Sequence, residues 1–253
     1  LKYIRFIMKL PITEQLFTKS KPIDKLQTLK AINLILDEQE KASFSVRKII
    51  DEIEKTVNGV VIHLNKNFSS RLIYVGAGTS GRIGIQDGVE LFPTFNWPQN
   101  RLDFMIAGGD QAIISTIENA EDNLISAINS VNEMSINFKD VVIGLAASGN
   151  TPYTCKVLEE AKNKSALTIA ISNNPNGKIL KFGKVKIVLN TEQEVIAGST
   201  RLKAGTAQKI CLNIISTMVM IKMGKVKNGL MKDMVPTNEK LKKRKKIIDS
   251  KIS

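Results

Sequence analysis

Residues 71–82 read RLIYVGAGTSGR, a short apolar run that ends in the glycine-rich stretch GAGTSG at 76–81. The glycines follow the G-x-G-x-x-G spacing of dinucleotide-binding loops. An apolar run that ends in glycines predicts a buried strand that turns directly into a helix, where unpaired backbone N–H groups favour an anion. The residues that follow this loop therefore determine which anionic ligand it binds.

Four more apolar or β-branched runs follow, at 101–108, 140–148, 166–173 and 185–190. The segments between the first four of the five runs are long enough for helices. Runs that are apolar throughout are typical of parallel strands buried on both faces. This alternation predicts an α/β domain with a doubly wound, parallel five-stranded sheet flanked by helices.

Helical patterns precede and follow the sheet. Apolar residues recur at helical spacing over 42–65, with Ser43 as the candidate N-cap, and another helix is predicted within 12–40. A nearly all-apolar helix is predicted from Lys203 to Met223, which indicates burial inside the domain or against another subunit. We divide the chain into an N-terminal helical segment (1–65), an α/β domain (66–225) and a basic, helical C-terminal tail (226–253).

The composition of the 253-residue chain excludes several functional classes. No apolar stretch approaches the ~20 residues of a membrane span, and the N-terminus lacks the apolar region of a secretory signal. We therefore expect a cytoplasmic protein without a membrane partner, and Met8 is a candidate start residue. Two distant cysteines, Cys155 and Cys211, indicate a reduced protein, and the single histidine, His63, is too few for a His-based triad or a multi-histidine metal site.

Basic residues exceed acidic residues by 13, which indicates either a lysine-rich surface or nucleic-acid binding. One basic run, KLKKRKK at 240–246, stands out. It has no interleaved aromatic residues and no recognition-helix pattern around it. A lysine-rich surface is therefore the better interpretation, and we expect no nucleic-acid partner.

A second polar loop, AASGNTPY at 146–153, also ends a strand and opens a helix. Its Ser148 and Thr151 add hydroxyl donors. Each hydroxyl could instead only cap its helix, but two such loops in one sheet favour a phosphate site. A dinucleotide fold would also need an acidic residue about 20 positions after the glycines. Asp103 falls within a strand and Asp110 comes too late, so NAD binding is disfavoured.

Acidic residues near these loops are candidates for acid–base chemistry. Glu90 precedes Pro93, which must end the helix that follows the first glycine loop. Further on, Glu118, Glu121 and Asp122 fall on one predicted short helix, with the two glutamates as i, i+3 neighbours. An ordinary solvated acidic surface explains the same spacing, so the pattern alone assigns no catalytic role.

Seven stretches together resemble the N-acetylmuramic acid 6-phosphate etherase family, which belongs to the sugar isomerase (SIS) domain group. They are YVGAGTSGRIGI, FPTF, IAGGD, ENAED, AASGNTPY, AGSTRLKAGTAQK and TNEKL. The most specific is AGSTRLKAGTAQK, which is shared mainly with glucokinase regulatory proteins. The resemblance runs from residue 13 to residue 245 and implies an SIS-type fold.

The resemblance implies an enzyme of peptidoglycan recycling, an amino sugar pathway, that needs no metal or other cofactor. Such an enzyme cleaves the D-lactyl ether of N-acetylmuramic acid 6-phosphate to N-acetylglucosamine 6-phosphate and D-lactate. Glu121 would be the base that removes the C2 proton of the ring-opened sugar, and Glu90 the acid that protonates the C3 ether oxygen before water adds. General acid–base catalysis contributes ~10²–10⁴-fold.

The resemblance also implies a small-molecule sugar phosphate as the ligand and a homodimer with the active site near the subunit interface. One loop would bind the phosphate and the other the sugar, and a lysine would complete the site. The implied contacts are Ser148, Gly149, Asn150 and Thr151 for the phosphate, Gly78, Thr79 and Ser80 for the sugar, and Lys203 or Lys209.

The chain departs from the family's pattern in four places. The usual D-A-S-E-C-P-P-T reads DGVELFPT here, Asn150 stands where an arginine is usual, NNP at 173–175 replaces the common C-N-P, and family members normally continue with more helices after TNEKL. The acid also raises a geometric question, because one continuous helix would place Glu90 ~15 Å from Ser80. Either Gly88 ends that helix early, or Glu90 serves a site shared across a dimer.

Two other functions fit the same pocket. A non-catalytic sugar-phosphate-binding regulator would need neither Glu90 nor Glu121, so the presence of both favours the enzyme. An aldose–ketose isomerase ranks third, because His63 is not a good candidate for opening the sugar ring.

Overall fold

The computed structural model describes residues 10–236 and 238–252, so the candidate start residue Met8 lies outside the described part. The centre of the molecule is a sheet of five parallel strands in the order β2-β1-β3-β4-β5. This confirms the predicted α/β class and its strand count. The strands are β1 (Leu72–Gly76), β2 (Leu102–Ile106), β3 (Val141–Ala146), β4 (Leu167–Ser172) and β5 (Val185–Val188).

Helices cover both faces of the sheet, as a doubly wound fold requires. Each of the two polar loops leads into a helix, α3 (Gly78–Val89) after β1 and α6 (Pro152–Asn163) after β3. The remaining helices are α1 (Thr28–Arg47), α2 (Ile50–Lys66), α4 (Leu91–Phe95), α5 (Leu124–Glu133), α7 (Lys203–Lys222) and α8 (Glu239–Ile252).

The strand order reverses between β1 and β3, because the chain goes outward from β1 to β2 and then returns past β1 to β3. Gly76, the last residue of β1, is paired in register with Leu145 of β3. The two polar loops therefore open side by side, at the switch point where α/β sheets of this kind bind their ligands.

Alternate residues of the central strands enter two apolar cores on opposite faces of the sheet. Tyr74 and Ile143 belong to a core that includes α1, α2 and α7. Ile73 and Val142 belong to a second core with α5 and α6. Helix α2 therefore packs against β3, β4 and β5, and α1 packs against α7, while the domain limits at 65 and 225 stay predictions.

Among the described residues, α7 is the one helix that is long and apolar enough to cross a membrane. However, 56% of its most apolar 18-residue stretch is buried inside the molecule. That burial is typical of a core helix, and residues such as Cys211 and Ile215 pack in the first core. The opposite side of α7 exposes Ile214, Met218 and Ile221, which are 38%, 37% and 40% exposed. Helix α7 therefore has apolar residues on two sides, one packed in the core and one exposed on the surface.

The N-terminal helix boundaries differ from the predicted ones. Ser43 lies inside α1 and donates a hydrogen bond to the Glu40 carbonyl, so it is not an N-cap. The chain breaks at Ile49 instead, where φ is −125°. Residues 12–27 hold two short 3₁₀ turns rather than part of a long helix. Apolar spacing runs on across the break at Ile49, so periodicity alone could not locate it.

An antiparallel hairpin that was not predicted precedes α8. It pairs β6 (Val226–Lys227) with β7 (Leu230–Met231). Its turn residues, Asn228 and Gly229, both have positive φ, at 52° and 73°. Asn-Gly is the favoured sequence for such a two-residue turn, so the signal was present in the sequence.

Candidate functional site

A cleft of about 650 Å³ opens at the carboxyl ends of β1 and β3. Its volume lies within the roughly 300–1,000 Å³ of ordinary small-ligand sites. Its walls come from the starts of α3 and α6, the turn before α5, the loop before α7 and the N-terminal segment. The lining residues are Leu10, Glu14, Ala77, Gly78, Thr79, Ser80, Arg82, Glu121, Ala147, Ser148, Thr151, Ala197, Gly198, Ser199, Thr200 and Arg201.

The GAGTSG loop needs its glycines for close packing and for an unusual backbone. A Cβ on Gly76 would lie 2.6 Å from the Gly81 nitrogen, so no larger residue fits there. Gly78 has φ +51°, in the left-handed region that favours glycine. No side chain caps the start of α3. Its first N–H groups therefore have no side-chain partner at the cleft, where the helix dipole favours an anion.

The second polar loop is held by contact between two glycines. Gly149 has φ +72°, and a Cβ on it would lie 2.4 Å from the Cα of Gly177. The Ser148 hydroxyl oxygen accepts the Asn150 backbone N–H at 3.2 Å, which tightens the turn. Thr151 is the N-cap of α6 but makes no side-chain cap hydrogen bond. This loop therefore presents a second helix N-terminus and two hydroxyls next to the first loop.

Two residues of the implied phosphate loop do not line the cleft. Gly149 is buried beneath the loop, against Gly177. The Asn150 side chain accepts the backbone N–H of Lys178 at 3.1 Å and lines a neighbouring pocket with Lys178. Asn150 therefore braces the loop from behind, while Ser148 and Thr151 face the cleft.

Glu121 lies in the cleft, on a 3₁₀ turn (Ala120–Asp122) that follows Asn119 in the left-handed conformation. Asn119 breaks the predicted short helix, so Glu118 does not share a helix with Glu121. One carboxylate oxygen of Glu121 lies 3.5 Å from the position of a Cβ on Gly78. Burial raises the pKa of Glu121 above its ordinary value, and the charge of Asp122 raises it further.

Glu90 does not reach this cleft within one chain. It connects α3 to α4 and lines a separate recess of about 260 Å³. The cleft lies at the start of α3 and Glu90 just past its end, and a helix of 12 residues is ~18 Å long at about 1.5 Å per residue. Gly88 remains inside α3, so the helix does not end early there. The structure therefore keeps the two glutamates of one chain apart.

The floor of the Glu90 recess is a buried carboxylate. Asp87 accepts hydrogen bonds from the Tyr74 hydroxyl at 3.0 Å, the Asn213 amide at 2.6 Å and the Ser216 hydroxyl at 3.1 Å. These bonds fasten the end of α3 to β1 and to α7. Burial nevertheless raises the pKa of Asp87 above its ordinary value. The network fixes the backbone from which Glu90 projects three residues later.

The two predicted lysines also lie outside the cleft. Lys203 is 1% exposed and forms a buried ion pair with Glu38 of α1. Lys209 lines the recess that contains Glu90, where its ammonium group donates to the Asn213 side chain at 2.7 Å. The structure therefore brings Thr79, Ser80 and Glu121 together, and separately places Lys209 with Glu90.

The cleft contains charged residues that the sequence did not single out as contacts. Arg82 donates to the carbonyls of Ala112, Ile113 and Ser115, and so ties the segment after β2 to α3. Arg201 stands in the AGSTRLKAGTAQK stretch, which gave a usable signal. Glu14 gave none, because only tertiary contacts bring the N-terminal segment to the cleft. Among the described residues, no group of three or more His, Cys, Asp or Glu is arranged to hold a metal ion.

Two family models match the chain. One is described as the glucokinase regulatory protein N-terminal SIS domain and matches residues 49–162. The other is described as the SIS domain and matches residues 126–222. Together they cover the sheet, the cleft loops and α7.

Similar curated proteins are named N-acetylmuramic acid 6-phosphate etherase. The protein from Pasteurella multocida (strain Pm70) is 44% identical over 237 residues, which are 94% of this chain and 78% of that protein. The protein from Mycoplasma mycoides subsp. mycoides SC is 43% identical over 232 residues, 92% of this chain and 76% of that protein. The Lactococcus lactis protein is 42% identical, over 93% of this chain and 79% of its own length.

Solved structures share the fold at low sequence identity. A phosphoheptose isomerase from Francisella tularensis has a TM-score of 0.56 at 18% identity and matches 78% of this chain and all of its own. A protein from Escherichia coli CFT073 has a TM-score of 0.57 at 14% identity, over 81% of this chain and 97% of its own. These likenesses concern the fold.

Proposed function

The chain belongs to the N-acetylmuramic acid 6-phosphate etherase family and is an enzyme, and we propose on this premise that it cleaves the D-lactyl ether of N-acetylmuramic acid 6-phosphate in amino sugar recycling. The products are N-acetylglucosamine 6-phosphate and D-lactate. The observation that carries this proposal is the single cleft that combines Glu121, the Thr79–Ser80 loop and the Ser148–Thr151 loop.

The phosphate group would bind where the two uncapped helix starts meet. The first N–H groups of α3 and α6 and the hydroxyls of Ser148 and Thr151 supply donors there. Arg201 adds a positive charge to the same wall. With the phosphate held on this side, Thr79 and Ser80 would donate to the sugar hydroxyls or the N-acetyl group.

Glu121 would act as the base in this cleft. In the ring-opened sugar the C1 aldehyde acidifies the C2–H bond, and the Glu121 carboxylate takes that proton. The C3–O bond then breaks, a proton goes to the departing lactyl oxygen, and the C2=C3 double bond forms. Water adds back across that double bond to give the 3-hydroxyl of the product. Glu90 would be the acid. Because Glu90 does not reach the cleft of its own chain, it would have to act in the cleft of another chain.

A homodimer would supply Glu90 in trans. In a two-fold dimer one patch covers the same patch of the partner reciprocally, so each chain could place its Glu90 recess over the other's cleft. Three observations support this arrangement: Lys209 accompanies Glu90 in the recess, Asp87 fixes the recess, and apolar side chains surround it. Val89 is 47% exposed next to Glu90, and α7 exposes a row of apolar residues nearby.

The activity test is incubation with N-acetylmuramic acid 6-phosphate followed by a D-lactate assay. Glu90→Gln and Glu121→Gln should each abolish lactate release and leave inorganic phosphate binding intact. Release at the parent rate by both variants would show that the two roles are assigned wrongly.

Mixing the two inactive variants tests the shared site. In a mixed dimer of Glu90→Gln and Glu121→Gln, one site receives an intact glutamate from each chain and the other receives none. Random exchange makes half of the dimers mixed, so the mixture should recover about a quarter of the parent activity. No recovery after exchange has been verified would place both glutamates of a working site on one chain.

The alternative is a non-catalytic sugar-phosphate regulator. The match to the glucokinase regulatory protein N-terminal SIS domain is the observation behind it, and the 44% identity to a protein named as an etherase outweighs that match. A chain that binds the sugar phosphate with micromolar affinity but releases no lactate would establish this second function. The two buried, unpaired cysteines, Cys155 and Cys211, support a reducing compartment, and we place either function in the cytoplasm.

A further inference from the structure

The cleft wall contributed by residues 195–202, called here the cleft loop, lies in the connection between β5 and α7. Five consecutive residues of it, Ala197 to Arg201, line the cleft. Gly198 has φ +76°. Two local backbone hydrogen bonds fold the segment on itself, from the Ser199 N–H to the Ile196 carbonyl and from the Leu202 N–H to the Ser199 carbonyl. The Gly198 N–H also donates to the Thr13 carbonyl at 3.1 Å, so the middle of the loop is held by the N-terminal segment, and the position of Arg201 further depends on how the two ends of the loop are held.

Three hydrogen bonds close the two ends of the cleft loop. Glu194, which is 1% exposed, accepts the backbone N–H of Lys203 at 3.2 Å and that of Ala204 at 2.7 Å. The Lys203 ammonium group reaches back and donates to the Gln193 carbonyl at 2.8 Å. Residues 193 and 194 on one side are therefore clasped to 203 and 204 on the other.

The position of Lys203 needs a compensating charge. The first turn of a helix disfavours a cation because the helix dipole is positive there, and an unpaired buried ammonium group is costly. Glu38 supplies that charge through its buried ion pair with Lys203. Although burial raises it, hydrogen bonds from Lys203 and Lys41 lower the pKa of Glu38 overall, which keeps the carboxylate ionised.

We propose that Lys203 is a positioning residue, whose buried ion pair with Glu38 and bond to Gln193 hold the cleft loop in the shape that presents Ser199, Thr200 and Arg201 to the phosphate. This inference rests on the proposed phosphate site, and it replaces direct contact between Lys203 and the ligand. It also gives α1 a function, because Glu38 lies in a helix that does not itself line the cleft.

The test is calorimetric titration of the full chain with inorganic phosphate. Lys203→Met and Glu38→Gln should each weaken phosphate binding about tenfold, since a loop displaced by ~1 Å loses its aligned contacts. Lys203→Arg keeps the ion pair and should stay within about twofold of the parent. Lys41→Met is the matched control, because Lys41 pairs with Glu38 on the exposed side without contacting the cleft loop.

A merely structural role is separated by two further variants. Glu38→Met combined with Lys203→Met replaces the buried pair with apolar groups, which often preserves stability. It should melt near the parent temperature and still bind phosphate about tenfold more weakly. Arg201→Gln should weaken binding in the parent and add little in Lys203→Met, because the displaced loop has already lost that contact.

The outcomes distinguish this inference from the proposed function. Normal phosphate affinity in Glu38→Gln with weak affinity in Lys203→Met would show that Lys203 contacts the ligand directly. Normal affinity in both, or full additivity of Arg201→Gln with Lys203→Met, would overturn the positioning role alone. If the parent chain binds no phosphate, both the phosphate site and the positioning role fall.

Discussion

At the scale of single residues, Glu121 carries a testable consequence of its surroundings. Burial raises the pKa of Glu121 above the ordinary value of 4.5, with Asp122 as the second cause. The proposed role of Glu121 as base requires an ionised carboxylate, so activity should fall as the pH drops through this raised pKa. The acid limb of kcat/KM should therefore lie above pH 4.5.

Asp122→Asn should move that acid limb to lower pH, because it removes one of the charges that oppose ionisation of Glu121. A pH profile of D-lactate release measures the shift. Glu118→Gln is the control: Glu118 does not line the cleft, and its substitution should leave the limb in place. If the acid limb of the pH profile stays in place in Asp122→Asn, the group that titrates there is not Glu121.

A second residue-scale prediction concerns stability. The pKa of Glu38 is lowered in the folded state, so its ion pair stabilises the fold above the ordinary glutamate pKa of 4.5, and the stabilisation is lost as the pH falls through the lowered value. At pH 7 Glu38→Gln should reduce the free energy of unfolding by about 2 kcal/mol. Urea unfolding should show this difference shrinking below pH 4.5, and a difference that stays constant with pH would contradict the ion-pair origin.

Sequence reasoning could predict which residues lie at the strand ends, because the loop itself determines their position, while their contacts with a ligand stay predictions. Thr79, Ser80, Ser148 and Thr151 lie in the cleft because each follows directly from a strand end. Lys203 could not be placed in this way, since its partner Glu38 is 165 positions away in the chain. The sequence AGSTRLKAGTAQK shows that a lysine is present, but only the packed fold shows that its side chain is buried against Glu38.

At the scale of elements, the second polar loop depends on the contact between Gly149 and Gly177. Gly149→Ala adds a Cβ that would lie 2.4 Å from the Gly177 Cα, in a backbone with φ +72°. The loop must move, so phosphate affinity should fall at least about tenfold and stability should fall by about 1–3 kcal/mol. Calorimetry and thermal melting measure the two effects.

Gly59→Ala is the matched control for this substitution. Gly59 lies inside helix α2, and a Cβ there meets nothing within 4 Å. Replacing an open helical glycine should raise stability by about 0.5–1 kcal/mol without changing phosphate binding. Equal effects of the two alanines would show that the glycine contact does not hold the loop.

The sheet and its helices were predictable because buried parallel strands leave long apolar runs. The residues at which helices and strands begin and end were less predictable. Ile49, where α1 gives way to α2, carries no glycine or proline signal, and the helical spacing continues through it. Asn228-Gly229 did carry a turn signal, yet its two-residue strands are too short to show an alternating pattern.

At the scale of the whole molecule, the exposed apolar side of α7 predicts an interface. Met218, in the middle of the row with Ile214 and Ile221, is 37% exposed. Met218→Asp should place a charge in the proposed dimer contact and convert the chain to a monomer, as measured by sedimentation. Lactate release should be lost, while phosphate binding should persist because the cleft lies within one chain.

Phe68→Asp is the control for this surface. Phe68 is 91% exposed, outside α7 and outside the Glu90 recess, so its replacement should change neither assembly nor activity. An active monomer of Met218→Asp would refute the shared site and leave the acid to be found within the chain itself.

Helix α3 has one end in a cleft and the other beside a recess about 18 Å away, a spacing set by its 12 residues. With Glu90 and Glu121 as the proposed catalytic pair, turnover would need two chains, so specific activity should decline on dilution as protomers separate. A cell that contains little of this protein would then hold mostly inactive single chains, and the amount of the protein would determine the rate of sugar recovery.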